Sequence, residues 1–145
     1  MKKSGILNRH LAGELAGLGH TDLVMVCDAG LPVPQGPAVV DLAFRAGTPS
    51  FAEVLEGLLD ELEVEGATAA SEVRAANAGA SALLDRFFPG SGASAPEGPN
   101  GPHGPGLELI PHEELKARTR EARLVVRTGE CRPYANVLLR CGVPF

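Results

Sequence analysis

The sequence predicts an α/β fold: a single domain of three layers, with a central sheet flanked by helices on both faces. Short apolar runs of strand length, Leu23–Cys27 being the clearest, alternate along the chain with segments whose apolar residues recur at helical spacing. The length of 145 residues suits one domain, residues 1–145, able to bury about 68% of its unfolded surface.

Asn8 is a plausible helix cap, Leu11, Leu15 and Leu18 follow at helical spacing, and Gly19 ends the pattern. Leu23–Cys27 then reads as a buried strand, and residues 39–44 as a second. Ser50-Phe51-Ala52-Glu53 is a capping box, opening a helix whose apolar stripe is Phe51, Leu55, Leu58, Leu59 and Leu62. Val64–Ala70 is a third strand, and residues 71–88 are helical in two pieces. Residues 107–110 form a short strand. Residues 112–122 form a helix with Glu113 and Glu114 in its first turn, where the helix dipole favours them. Leu124–Arg127 and Val137–Cys141 complete the strands.

Residues 89–106 break the pattern, because Gly and Pro fill 11 of these 18 positions. The run GPNGPHGPG is too short for a triple helix, so the segment is expected to be a disordered surface loop, with His103 solvated.

Apolar residues make up 44% and charged residues 21%, which excludes disorder throughout. The net charge is −5 and the one basic tract is Lys2-Lys3, so no nucleic-acid surface is expected. The apolar runs fall well short of the roughly 18 residues that span a bilayer. The amino terminus starts like a signal peptide but turns polar at Asn8, Arg9 and His10; no export signal is read, and a cytoplasmic protein is expected. Cys27, Cys131 and Cys141 are odd in number and lack C-x-x-C spacing, which suits reduced thiols. The four histidines and three cysteines show no metal-ligand spacing, and no G-x-S-x-G, P-loop or G-x-G-x-x-G occurs.

His20 stands at a helix-to-strand turn, where an imidazole could exchange protons near neutral pH, although a lone loop histidine is more often only solvated. Asp28 directly follows a strand, the position where open α/β sheets gather ligands; it could equally cap Gly30 in a turn. His112 opens a helix, whose free N–H groups favour anionic or hydroxyl oxygens, and a plain helix start explains it as well. Tyr134 and Asn136 offer a hydroxyl and an amide, the group types that read sugar hydroxyls, or they shape a turn before the last strand.

Taken together, MKKSGILN, LGHTDLVMVCDAGLPVP, GTPSF, HEELK and RTGECRPYANVLLRCGV resemble the D-ribose pyranases, sugar-ring isomerases of bacterial ribose uptake. The likeness is ordered over nearly the whole chain, dense at both ends and faint from residue 64 to 106. It implies conversion of β-D-ribopyranose to β-D-ribofuranose without a cofactor or metal. It assigns the proton donor to His20 and substrate binding to Asp28, His112 and Tyr134-Ala135-Asn136. It also implies a ring-shaped homodecamer, with Tyr134 and Asn136 reaching into a neighbour's pocket. The sister family of L-fucose mutarotases shares the Gly-His and Asp-Ala pairs but differs after the aspartate, where this chain keeps Gly30-Leu31-Pro32-Val33-Pro34. A mutarotase for another sugar and a non-catalytic sugar-binding accessory of a transporter are the alternatives.

One geometric difficulty accompanies these assignments. Eight residues of extended chain reach roughly 26 Å, far beyond one pentose. His20 and Asp28 share a site only if the chain bends, or if two subunits contribute one residue each.

Overall fold

The computed structural model describes residues 1–89 and 105–145. Local signals place its helices. Asn8 caps α1 (Arg9–Ala16), its side chain accepting the Leu11 N–H at 2.9 Å. Ser50 and Glu53 form the complete capping box of α2 (Phe51–Leu59). The two helical pieces are α3 (Val73–Ala76) and α4 (Ala78–Phe87), joined at Asn77, whose side chain caps the second. Helix α5 (His112–Arg118) is shorter than the sequence suggests, because the chain tightens into a 3-10 turn over Thr119–Glu121.

The strands are β1 (Leu23–Cys27), β2 (Ala38–Asp41), β3 (Val64–Ala70), β4 (Gly106–Ile110), β5 (Leu124–Arg127) and β6 (Val137–Cys141). β2 stops at Asp41, short of the predicted residue 44, because Phe44 and Arg45 turn back to bond the Thr48 carbonyl. The strands form one sheet in the order β2-β5-β1-β6-β3-β4. β1 pairs in parallel with β5, β5 with β2, and β3 with β4, whereas β6 is antiparallel to both its neighbours, β1 and β3. Five strands therefore share one direction and β6 alone opposes them among the described residues.

Side-chain alternation divides the core in two. Val24 and Val26 of β1 face α1, α2 and α4, where Leu11, Phe51, Leu55 and Leu84 are buried. Met25 and Cys27 face the other way, onto Leu115 of α5. Both faces of the sheet carry helices, as predicted. Burial pushes the Cys27 thiol up to about 12, aided by the charge of Asp28, which makes it a packing residue and not a nucleophile. All three cysteines are free.

Residues 90–104, and with them His103, lie outside the described residues. Pro89 and Gly106, which flank them, meet in an isolated antiparallel bridge.

Candidate functional site at the carboxyl edge of the sheet

Strand direction decides which residues meet. The ends of β1, β3, β4 and β5 and the start of β6 lie at one edge of the sheet, so Asp28, Glu72, His112, Glu130 and Asn136 converge there from distant parts of the chain. A cleft of about 320 Å³ opens at this edge, with Asp28, His112, Glu130, Arg132 and Tyr134 in its lining. That volume is at the small end of the roughly 300–1,000 Å³ usual for ligand pockets.

Asp28 is 8% exposed and held on all sides. Its backbone N–H donates to Asn136 Oδ1 at 2.9 Å, and Asn136 Nδ2 returns a bond to Asp28 Oδ2 at 2.9 Å. The Gly30 N–H donates to Asp28 Oδ1 at 2.9 Å, so the turn-capping role is real. It leaves acceptor capacity on the carboxylate, because each oxygen can accept more than one bond. Arg127 fixes the next residue, donating through Nε and Nη2 to the Ala29 carbonyl while Nη1 bonds Asp41.

Tyr134 has a φ of +60°, a left-handed conformation uncommon outside glycine and frequent at functional sites. Its ring meets that of His112 edge-on, with centroids 5.0 Å apart and planes at 89°. Asn77 pins the approach, donating to the Pro133 carbonyl at 2.9 Å. Ala135 is 1% exposed and packs into the core, so its side chain has no access to the cleft. The His112 N–H is taken by both carboxylate oxygens of Glu72, at 3.1 and 3.0 Å, which corrects the expectation that it is free for a ligand. The ring is what remains: Nδ1 of His112 is buried with no hydrogen-bond partner among the described residues. A buried polar atom of this kind is open to a bond from a water or a ligand.

Sequence reasoning missed Glu130 and Arg132. Glu130 is 4% exposed, and Oε1 accepts the Cys131 and Arg132 N–H groups while Arg132 Nε and Nη2 grip both oxygens. Those Arg132 bonds, against the opposing effect of burial, hold the Glu130 carboxyl at about 2. The acid-base pair two residues apart in GECR was the available signal. Glu72 gave no such signal. Among the described residues no three His, Cys, Asp or Glu side chains group as metal ligands would.

His20 is elsewhere. It precedes β1, at the opposite edge of the sheet, with its side chain 53% exposed and Nε2 3.0 Å from Glu65 Oε2. β1 is paired along both sides, and its five residues put roughly 16 Å of straight strand between His20 and Asp28. The chain does not bend to join them. Asn136, by contrast, bonds Asp28 of its own chain, and Tyr134 lines the same cleft as Asp28. The start of β6 lies beside the end of β1, which brings Asn136 to Asp28.

The model of the RbsD / FucU transport protein family matches residues 1–144. The chain belongs to that family. D-ribose pyranase 2 of Streptomyces griseus is 69% identical over 145 residues, covering 100% of both chains. The D-ribose pyranase of Bacillus licheniformis is 46% identical, again over 100% of each. Among solved structures, Bacillus subtilis RbsD complexed with D-ribose matches with a TM-score of 0.86 at 42% identity, covering 100% of both chains. The fucose mutarotase of Streptococcus pneumoniae, in complex with L-fucose, matches with a TM-score of 0.73 at 18% identity, over 96% of this chain and 95% of that one. The second likeness is one of fold alone; the first extends to sequence as well.

Proposed function

We propose that the protein is a D-ribose pyranase, an isomerase that interconverts the β-pyranose and β-furanose forms of D-ribose in ribose metabolism. The observation that carries this reading is the 69% identity, over the full length of both chains, with a protein of that activity. The likeness to a ribose complex at 42% identity supports the sugar, and the small cleft, which carries Asp28, His112 and Tyr134 in its lining, suits a pentose.

The reaction needs only proton transfers. A base takes the proton of the anomeric hydroxyl, C1=O forms, the bond from C1 to the pyranose ring oxygen breaks, and that oxygen receives a proton. Reclosure runs through the hydroxyl on C4: its oxygen attacks C1 and loses its proton while the carbonyl oxygen gains one. Protons balance and no electrons leave the sugar. General acid–base catalysis supplies about 10²–10⁴-fold, and positioning adds to it.

In this reading Asp28 and the Nδ1 of His112 hold sugar hydroxyls, while Tyr134 and Asn136 fix which hydroxyl recloses. Ala135 contributes through its backbone, since its side chain is in the core. His20 exchanges the proton with the ring oxygen. Because His20 and Asp28 occupy opposite edges of the sheet, each site takes its histidine from a second copy of the chain, and the working enzyme is a homo-oligomer. A decameric ring and a cytoplasmic location are the forms that the family resemblance supports, with residues 1–145 acting as one domain.

Magnetisation-transfer NMR on D-ribose tests the function. The protein should speed exchange between the pyranose and furanose signals, and L-fucose should respond less. Absence of accelerated ribose exchange, with ribose still bound, would make the protein a sugar-binding accessory and not an enzyme.

A further inference from the structure

The turn that carries His20 is built to be rigid. Thr21, a β-branched residue, adopts a φ of +67°, a conformation that costs free energy and persists only where neighbours impose it. The neighbours are present. The Thr21 N–H donates to the Cys141 carbonyl, the Cys141 N–H donates to the Asp22 carbonyl, and the Gly19 N–H donates to Asp22 Oδ2 at 2.7 Å. Arg123 in turn bonds Asp22 at 3.2 Å. The backbone at His20 is fixed from both sides.

Glu65 meets it from β3, and it does so because that strand is irregular. Val64 pairs with Cys141 and Gly66 with Arg140, so two steps along β3 match one step along β6 and Glu65 is the extra residue of a bulge. In a regular strand Glu65 would share a face with Ala67 and Ala69, which belong to the buried cluster under α1 and α2. Instead Val64 takes that face, and the Glu65 carboxylate is turned out to His20 Nε2, 3.0 Å away. Bulges re-aim side chains next to functional sites.

We propose that Glu65 is the positioning residue of His20: its carboxylate holds the imidazole by Nε2–H and leaves Nδ1 as the nitrogen that exchanges a proton with the sugar. A carboxylate has no proton to give, so the nitrogen it bonds must be the donor. The partner of one ring nitrogen thus sets the role of the other. The inference rests on the acid/base role of His20 in the proposed reaction.

The test uses the full-length protein with ¹⁵N-labelled histidine and compares the parent with Glu65→Ala, Glu65→Gln and His20→Asn. Glu65 is exposed, so these variants should fold. In the parent the neutral His20 ring should give the ¹⁵N signature of a fixed Nε2–H tautomer. In Glu65→Ala the signals should move to tautomer averaging and kcat for ring exchange should fall about 10-fold with little change in KM, because binding is untouched. Glu65→Gln, which keeps an acceptor oxygen, should fall between the two. If His20→Asn loses exchange while Glu65→Ala keeps the parent's tautomer or kcat, the positioning role is wrong and the proposed reaction stands. If His20→Asn keeps full exchange, the role of His20 in the reaction fails, and that of Glu65 fails with it.

Discussion

Asp28 and Glu130 are both buried carboxylates in the cleft, and their partners assign them different work. Glu130 spends both oxygens on Arg132 and adjacent backbone, an ion pair that shapes the loop. Among the described residues Asp28 bonds only neutral donors, Asn136 and the Gly30 N–H, and so keeps acceptor capacity. The Glu130 carboxyl is held at about 2, below its ordinary 4.5, so the native state binds this proton more weakly than the unfolded chain. Its stabilisation is therefore complete above about pH 4.5 and is lost as pH falls toward 2. Urea unfolding of Glu130→Gln should show lower stability than the parent at pH 6 and a narrowing gap below pH 4; a constant gap would mean that the charge of Glu130 is not what matters. Asp28→Asn should raise the ribose dissociation constant at least as much as it slows exchange, read by titration calorimetry beside NMR.

At the level of elements, the loop after β5 must pass close to the turn before α2. The Gly47 N–H bonds the Gly129 carbonyl and the Gly129 N–H bonds that of Pro49, and a Cβ on Gly129 would strike the Thr48 backbone. Gly129→Ala should cost about 1–3 kcal/mol of stability and loosen the loop that carries Glu130; unchanged unfolding of that variant would show that the contact gives way freely. Elements with local codes were legible in the sequence: the caps at Asn8 and Ser50, the apolar run of β1, the division of residues 71–88 into two helical pieces. Strand order has no local code. The insertion of β6, reversed, between β1 and β3 is what brings Asn136 to Asp28 across 108 residues, and no spacing announces it. The bulge at Glu65 was hidden for the same reason, since only the pairing with β6 reveals the extra residue. Asp28, His112, Tyr134 and Asn136 were therefore named one by one, from their positions and chemistry and from the family motifs, while their grouping, the core position of Ala135 and the capture of the His112 N–H by Glu72 needed the fold.

For the whole molecule, residues 89–106 and the separation of His20 from Asp28 lead to different tests. The bridge between Pro89 and Gly106 brings the ends of the Gly/Pro segment together, and its composition offers little apolar surface to bury. Replacing residues 90–104 with a short Gly-Ser linker should leave assembly, by light scattering, and ribose exchange intact; a large loss of turnover would place function in that segment. The opposite positions of His20 and Asp28 on the sheet make a sharper demand, because a site that draws one residue from each of two copies can be rebuilt from two defective chains. His20→Asn and Asp28→Asn, each alone, should show little catalysed exchange at sub-saturating ribose. Unfolded together in equal amounts and refolded, they should regain up to about a quarter of the parent rate, since random pairing reunites an intact His20 with an intact Asp28 in that fraction of sites. A refolded mixture no more active than the separate variants, though assembled to the parent's size, would contradict a site shared between subunits.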